Sequence, residues 1–468
     1  MRKSRTLVVL TAGLLSLAVA LPGCGALGGL GGLGGGSPID LIASLLGSPV
    51  GGPWGVAIGL FVQVLTHPLP EPFSTEFSGE PWPQAFLKVV LPAPVNPPLT
   101  ATLLASVSEA PLQGAIAPDG MLYYGEKNTG KVRRFDPNSA SPTIQDVLDL
   151  PVNNTGERGL VGIAFTPTGV DPARMFLTYV RSSTDSDTTD ISEAMESRVS
   201  SFPFPSPTVD GETVLFHYPA SDPNFPLPAA VNGMGPCRVG PDQKLYFSHG
   251  DWNTRLGGQI PLDINPAGKI HRVEFDGSIP TDNPMTGQTT FCLGLRSSIA
   301  FNWDSMDNSM TLDDRGLLVG EELNTGAAGG NYGFPLVVGS AGTDWENLVT
   351  LLPLYRQPFL DFGNAKPLPD MTSLVIIRGG AYGPDLEGHI FYNQHNTSGS
   401  GIIPLGAQAS RIVHLAFAPL NPIVPWGDVW VAPDTAGRIT CMVPRADGLL
   451  VVLCEHEIYL LNAPPPAP

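Results

Sequence analysis

Two acidic pairs, Asp313-Asp314 and Glu321-Glu322, stand close together and just ahead of a glycine-rich stretch, Gly329-Gly-Asn-Tyr-Gly333. A hard divalent cation such as calcium takes about six to eight oxygens from carboxylates and loop carbonyls. Glu321 and Glu322 beside such a turn are therefore candidate metal ligands, and Asp313 and Asp314 add negative charge nearby. His249 and His271 fall inside strand-like runs and are read as structural. Cys237, Cys292, Cys441 and Cys454 do not have zinc-site spacing. Cys441 and Cys454 are equidistant from Asp447-Gly448, a favoured two-residue hairpin turn, so the pattern places them opposite each other on two strands and predicts a disulfide. Cys237 and Cys292 are left either as a second pair or as free buried thiols.

The elements that must position these residues follow from composition. Among 468 residues there are 54 glycines and 49 prolines, and charged residues make up 15%, against about 25% in ordinary domains. That punctuation excludes a helical bundle and favours short strands joined by turns. Six short units recur, usually ending in Pro-Asp and leading into a β-rich run: Ala115 to Gly120, Ile163 to Pro167, Arg238 to Asp242, Ile299 to Asp304, Ala381 to Asp385 and Leu415 to Pro419. Strand, Pro-Asp turn and second strand, repeated, is the pattern of a propeller blade. The expected fold is all-β, a six-bladed β-propeller with loop insertions over residues 101–464. The net charge is −18, with no basic block after the first five residues, which argues against a nucleic-acid partner.

At the N-terminus, Met1-Arg-Lys-Ser-Arg5 is followed by an apolar run from Leu7 to Leu21 that is too short to span a bilayer comfortably. Leu21-Pro-Gly-Cys24 resembles a bacterial lipobox, in which the cysteine is acylated. The reading is a signal peptide over 1–23, lipidation at Cys24, a Gly-rich tether over 24–36 and a Pro-rich extension over 37–100. It places an exported, lipid-anchored protein at an outer membrane or cell surface.

Gly268-Lys-Ile-His-Arg272 followed by Asp276-Gly-Ser-Ile-Pro-Thr-Asp-Asn-Pro284 resembles the signature of the glucose/sorbosone dehydrogenases, quinoproteins that use pyrroloquinoline quinone (PQQ). The likeness continues through Glu157 to Phe165, Val239 to Tyr246, Glu321 to Asn324, Gly330 to Pro335 and Asp434 to Gly437. That family is a six-bladed propeller, in agreement with the repeat count. The resemblance implies that Arg296 and Arg411 meet the carboxylates of PQQ and that Glu157 lies against the cofactor. It also implies that Glu321, Glu322 and the Asn331-Tyr332 loop hold calcium.

The family's general base is a histidine, and here its position holds Asn232, or Val231 on an alignment with one inserted residue. Neither side chain accepts a proton at neutral pH. Three readings follow: a PQQ-dependent sugar or polyol dehydrogenase with altered or impaired chemistry, a calcium-stabilised propeller that binds a glycan or protein partner without turnover, and a calcium-dependent lactonase, which fits the acidic pairs but not the dehydrogenase-like segments.

Overall fold

The computed structural model describes residues 98–219, 233–252, 258–259, 265–315, 321–338, 354–361, 371–395, 410–416 and 426–465. All of them belong to one compact unit made of residues 85–221 and 227–468. Among the described residues there is no α-helix, and twenty-four strands form six four-stranded antiparallel sheets.

Blade I is β2 (Pro111–Ile116), β3 (Leu122–Glu126), β4 (Lys131–Phe135) and β5 (Gln145–Asp149). Blade II is β6 (Leu160–Phe165), β7 (Arg174–Ser182), β8 (Ala194–Pro203) and β9 (Thr213–Pro219). Blade III is β10 (Met234–Val239), β11 (Leu245–His249), β12 (Lys269–Val273) and β13 (Thr290–Leu293). Blade IV is β14 (Phe301–Trp303), β15 (Met310–Asp314), β16 (Glu322–Gly326) and β17 (Leu360–Asp361), and blade V is β18 (Leu374–Ile376), β19 (His389–His395), β20 (Ser410–Ala416) and β21 (Trp426–Val431). Blade VI takes β22 (Ile439–Pro444), β23 (Leu450–Cys454) and β24 (Glu457–Leu461), then borrows β1 (Ala101–Ser106) as its outermost strand. This borrowed strand ties the two ends of the ring together and leaves β24 paired on both sides.

Every blade interface has its own apolar core. Tyr123, Val132, Ile163 and Leu177 fill the gap between I and II, and Phe176, Val199, Cys237 and Phe247 that between II and III. The series continues around to Leu122, Phe135, Val443 and Leu453 between VI and I. Alternating strands expose one face to each neighbouring blade, so both faces are apolar and the burial of β3, β6 and β23 is continuous.

Strand direction divides the ring into two ends. Connections from first to second strand and from third to fourth lie at one end, here called the turn end. Connections from second to third strand, and from each blade to the next, lie at the other, the loop end.

Five of the six expected repeat units are first-to-second-strand connections, in blades I to V. The sixth is not. Leu415 lies in β20, the third strand of blade V, and residues 417–419 fall outside the described residues. The equivalent turn of blade VI is Arg445 to Leu449, where the Arg445 N–H reaches the Leu449 carbonyl at 2.8 Å and the Gly448 N–H the Arg445 carbonyl at 3.0 Å.

That turn also corrects the disulfide. It holds three residues, with Gly448 at φ 83°, so the register pairs Cys441 with Leu453 and Ile439 with Cys454. A shift of one residue sends side chains to opposite faces. Cys441 therefore enters the VI/I core and Cys454 the V/VI core, and both are free thiols. Cys237 and Cys292 are free as well, on the innermost and outermost strands of blade III. Three strand spacings of about 4.8 Å put them far beyond disulfide reach.

Candidate functional site

The chemistry-bearing residues gather at the loop end around blades III and IV. Arg296 lies in the connection from β13 to β14, held from both sides. From blade III, the Asp251 N–H donates to the Arg296 carbonyl at 2.7 Å, and Ser248 Oγ to the Ser298 carbonyl at 2.6 Å. From blade IV, the Asp314 carboxylate accepts the N–H groups of Arg296 at 2.9 and 3.0 Å and of Ser297 at 2.8 Å. Asp313 Oδ1 accepts from Ile299 N at 2.9 Å, Ala300 N at 2.7 Å and Ser298 Oγ at 3.3 Å. The pair Asp313-Asp314 thus serves as a backbone clamp, because β15 ends where the blade-to-blade connection leaves its N–H groups without strand partners.

The guanidinium of Arg296 donates from Nη1 to the Arg315 carbonyl at 2.9 Å. Burial lowers its proton affinity, opposed by the charges of Asp251, Asp314 and Glu321, while Arg315 adds repulsion. Arg315 in turn pairs with Glu157 at 3.4 Å, from the connection into blade II. A contact between the ends of blades I and IV crosses the ring, so Glu157, Arg315 and Arg296 form one chain of charges over the centre of the loop end. Burial pushes the Asp313 carboxyl far above the usual carboxylate range and raises Asp314 as well, against the pull of their N–H donors.

Glu321 is buried within electrostatic range of Arg296. Glu322 is buried too, and its Oε2 accepts from Asn324 Nδ2 at 3.1 Å. Register places Glu322 between Asp314 and Asp361 on neighbouring strands. Tyr332 does not join them: its hydroxyl donates to the Thr325 carbonyl at 2.8 Å and its ring fills the III/IV core. Thr325 is four residues along β16 from Glu321, about 13 Å at the usual strand rise. The Asn331 carbonyl accepts the Arg356 N–H at 2.8 Å. Among the described residues no three His, Cys, Asp or Glu side chains converge on a point that could hold a metal ion.

Arg411 lies at the loop end of blade V, yet inside its own sheet. Its Nε and Nη2 donate to Gln394 Oε1 at 3.0 and 2.7 Å, and Nη1 pairs with Asp428 at 2.9 Å. The structure does not bring it to Arg296. Asn232, Val231 and Cys24 lie outside the described residues.

Sequence reasoning missed Asp251 and Arg315, and gave Asp313 and Asp314 only a charge. The doublet Asp313-Asp314 at a strand end followed at once by Arg315 was the available signal. His249 is buried as expected of a structural histidine, but neither ring nitrogen has a hydrogen-bond partner among the described residues. Phe216, Phe247 and Trp252 surround it, and burial drives its proton affinity well down. His271 bonds Thr289 Oγ1 at 2.8 Å and the Pro266 carbonyl at 3.1 Å, which fits the structural reading.

A family model described as Glucose / Sorbosone dehydrogenase matches residues 108–393. The chain belongs to the glucose/sorbosone dehydrogenase family. Its membership covers blades I to IV and reaches β19 of blade V. Over 246 residues the chain is 26% identical to quinoprotein glucose dehydrogenase B of Acinetobacter calcoaceticus, covering 47% of this chain and 49% of that one, about half the length of the curated relative. The PQQ-bound aldose sugar dehydrogenase of Streptomyces coelicolor superposes with a TM-score of 0.58 at 17% identity, covering 79% of this chain and 99% of the other. The calcium structure of a family AA12 carbohydrate-active enzyme from Trichoderma reesei gives 0.54 at 15% identity over 81% and 99%. At these identities the two structures show a shared fold.

Proposed function

We propose that this glucose/sorbosone dehydrogenase family member is an exported, lipid-anchored quinoprotein-type oxidoreductase acting on a sugar or polyol, with turnover limited by its base. One observation carries the reading: Arg296 and Arg315 are held against each other at the centre of the loop end. Two guanidiniums in a partly dry site suit a small polyanion, and PQQ carries carboxylates. When bound, that cofactor supplies hydride acceptance. Arg296 and Arg315 would hold its carboxylates, and the clamp of Asp251, Asp313 and Asp314 keeps the Arg296 backbone in place. Glu157 orients Arg315 by their ion pair. Calcium has weaker support, since Glu321 and Glu322 do not converge with a third ligand among the described residues, and no step is assigned to it.

The limiting element is the proton acceptor. A positioned base contributes about 10²- to 10⁴-fold, and neither Asn232 nor Val231 can act as one. The same substitution favours the second reading, a propeller that holds a glycan or protein partner without turnover. Purified protein reconstituted with PQQ and calcium, followed by quinone absorbance during sugar titration, separates them. Binding that Arg296→Gln abolishes, with reduction that is slow in the wild type and faster in Asn232→His or Val231→His, supports the dehydrogenase. Absence of PQQ binding in every variant overturns it in favour of the binding module.

A further inference from the structure

Among the described residues, a cation on the ring axis lacks a counter-ion. Gln113 on β2 donates from Nε2 to the carbonyl of Thr372, which leads into β18, at 3.0 Å. Its Oε1 accepts from Nη2 of Arg238 on β10 at 3.4 Å, and the Cys441 thiol on β22 meets the same oxygen at 3.5 Å. A side chain from blade I that reaches blades III, V and VI lies at the centre of the ring, and so does the guanidinium it touches.

Arg133, Arg198, Arg272 and Arg378 each face a carboxylate. Among the described residues Arg238 faces none, although the chain has 43 acidic residues against 25 basic ones. Its long bond to a neutral amide uses one of five N–H donors. Nε is buried and has no acceptor among the described residues. Buried donors in folded proteins are normally satisfied, and an exception calls for an absent partner. The Nε and Nη groups make a planar fork whose geometry matches a carboxylate, and the surrounding blades weaken dielectric screening.

We propose that Arg238 binds a small monoanion, a halide or a carboxylate, on the ring axis. This site is separate from the Arg296 cluster, so failure of the dehydrogenase reading leaves it standing. Crystals of the full chain grown in sodium bromide test it by anomalous diffraction. The expected result is a bromide peak within about 3.5 Å of the Arg238 guanidinium, lost in Arg238→Gln. Replacing part of the bromide with sodium acetate distinguishes the ligands: a weakened peak assigns the site to carboxylates as well, and an undiminished one narrows it to halides. In solution, added bromide should raise the melting temperature of the wild type more than that of Arg238→Gln, since only a ligand of the folded state does so. No axial peak in wild-type crystals overturns the proposal, whether or not the variant folds; so does a peak that persists in Arg238→Gln.

Discussion

The two ends of the ring use aspartate differently. In the turns of blades I and III, aspartate acts within its own blade: Asp119 accepts the Met121 N–H at 3.0 Å and the Tyr123 hydroxyl at 2.8 Å, and Asp242 accepts the Tyr246 hydroxyl at 2.9 Å. The same Asp-to-Tyr step of four residues thus closes the turn in blades I and III. At the loop end, Asp313 and Asp314 bond a backbone segment more than ten residues away, which belongs to a different connection. Local contacts tolerate replacement because water can take their place. The buried clamp has no such substitute.

The comparison predicts its own largest effect at Asp313. Asp313→Ala leaves two buried N–H groups unpaired and should cost about 2–4 kcal/mol, read as a lower urea midpoint. Asp313→Asn keeps an oxygen acceptor at a site where burial already favours the neutral form, and should cost far less. Equal losses in the two variants would show that charge, not acceptance, holds the clamp.

A second test lies toward the turn end of blade V. His389 and His414 bring their Nδ1 atoms to 2.8 Å with rings 5° from parallel. Their ring centroids are 5.1 Å apart, the length of an end-to-end N–H···N bond, which holds one proton. Burial, then His389, lowers His414 to about 4, and burial lowers His389 while Asp385 opposes that shift. The folded state takes up a further proton, the one that would charge the pair, less readily than the unfolded chain, whose histidine titrates near 6.5. Stability is therefore full above about pH 6.5 and falls as the pH drops toward 4, by about 3 kcal/mol from His414. His414→Phe should flatten the profile of melting temperature against pH in that window; an unchanged slope would break the assignment.

Smaller effects belong to the turns. Asp242→Ala loses the Tyr246 hydroxyl and the Arg272 guanidinium, bonded at 2.9 Å, and should cost about 2 kcal/mol; Asp119→Ala, whose ion pair with Arg134 is longer at 3.7 Å, should cost about 1 kcal/mol. A loss at Asp119 larger than that at Asp313 would reverse the order of the two ends. The smallest effect is the null one for thiols: reductant should leave the melting temperature unchanged, because Cys237, Cys292, Cys441 and Cys454 form no disulfide. Alkylation of Cys441 and Cys454 in denatured protein only after prior reduction would contradict the register of β22 and β23.

Legibility in the sequence followed the same division. Five of the six repeat units could be read because each connects strands adjacent in the chain; the count reached six only through a copy that is not such a turn. The one misplaced copy, at Leu415, has the right residues on the wrong strand, and the blade VI turn lacks the Pro-Asp step. Arg296 and Glu157 were recognised by resemblance, but their link through Arg315 joins residues more than 150 positions apart. Arg411 matched the same resemblance, yet Gln394 and Asp428 occupy it within its sheet.

The sequence by itself determined that this chain is built of short strands repeated six times, because strand periodicity and turn chemistry are local properties of a few neighbouring residues. It also carried the family signature. Only the tertiary structure decided which carboxylates clamp backbone, which arginines stand together and which cysteines face different cores. Those outcomes depend on a one-residue register and on which blades meet across the ring, and neither is encoded in any single stretch of chain.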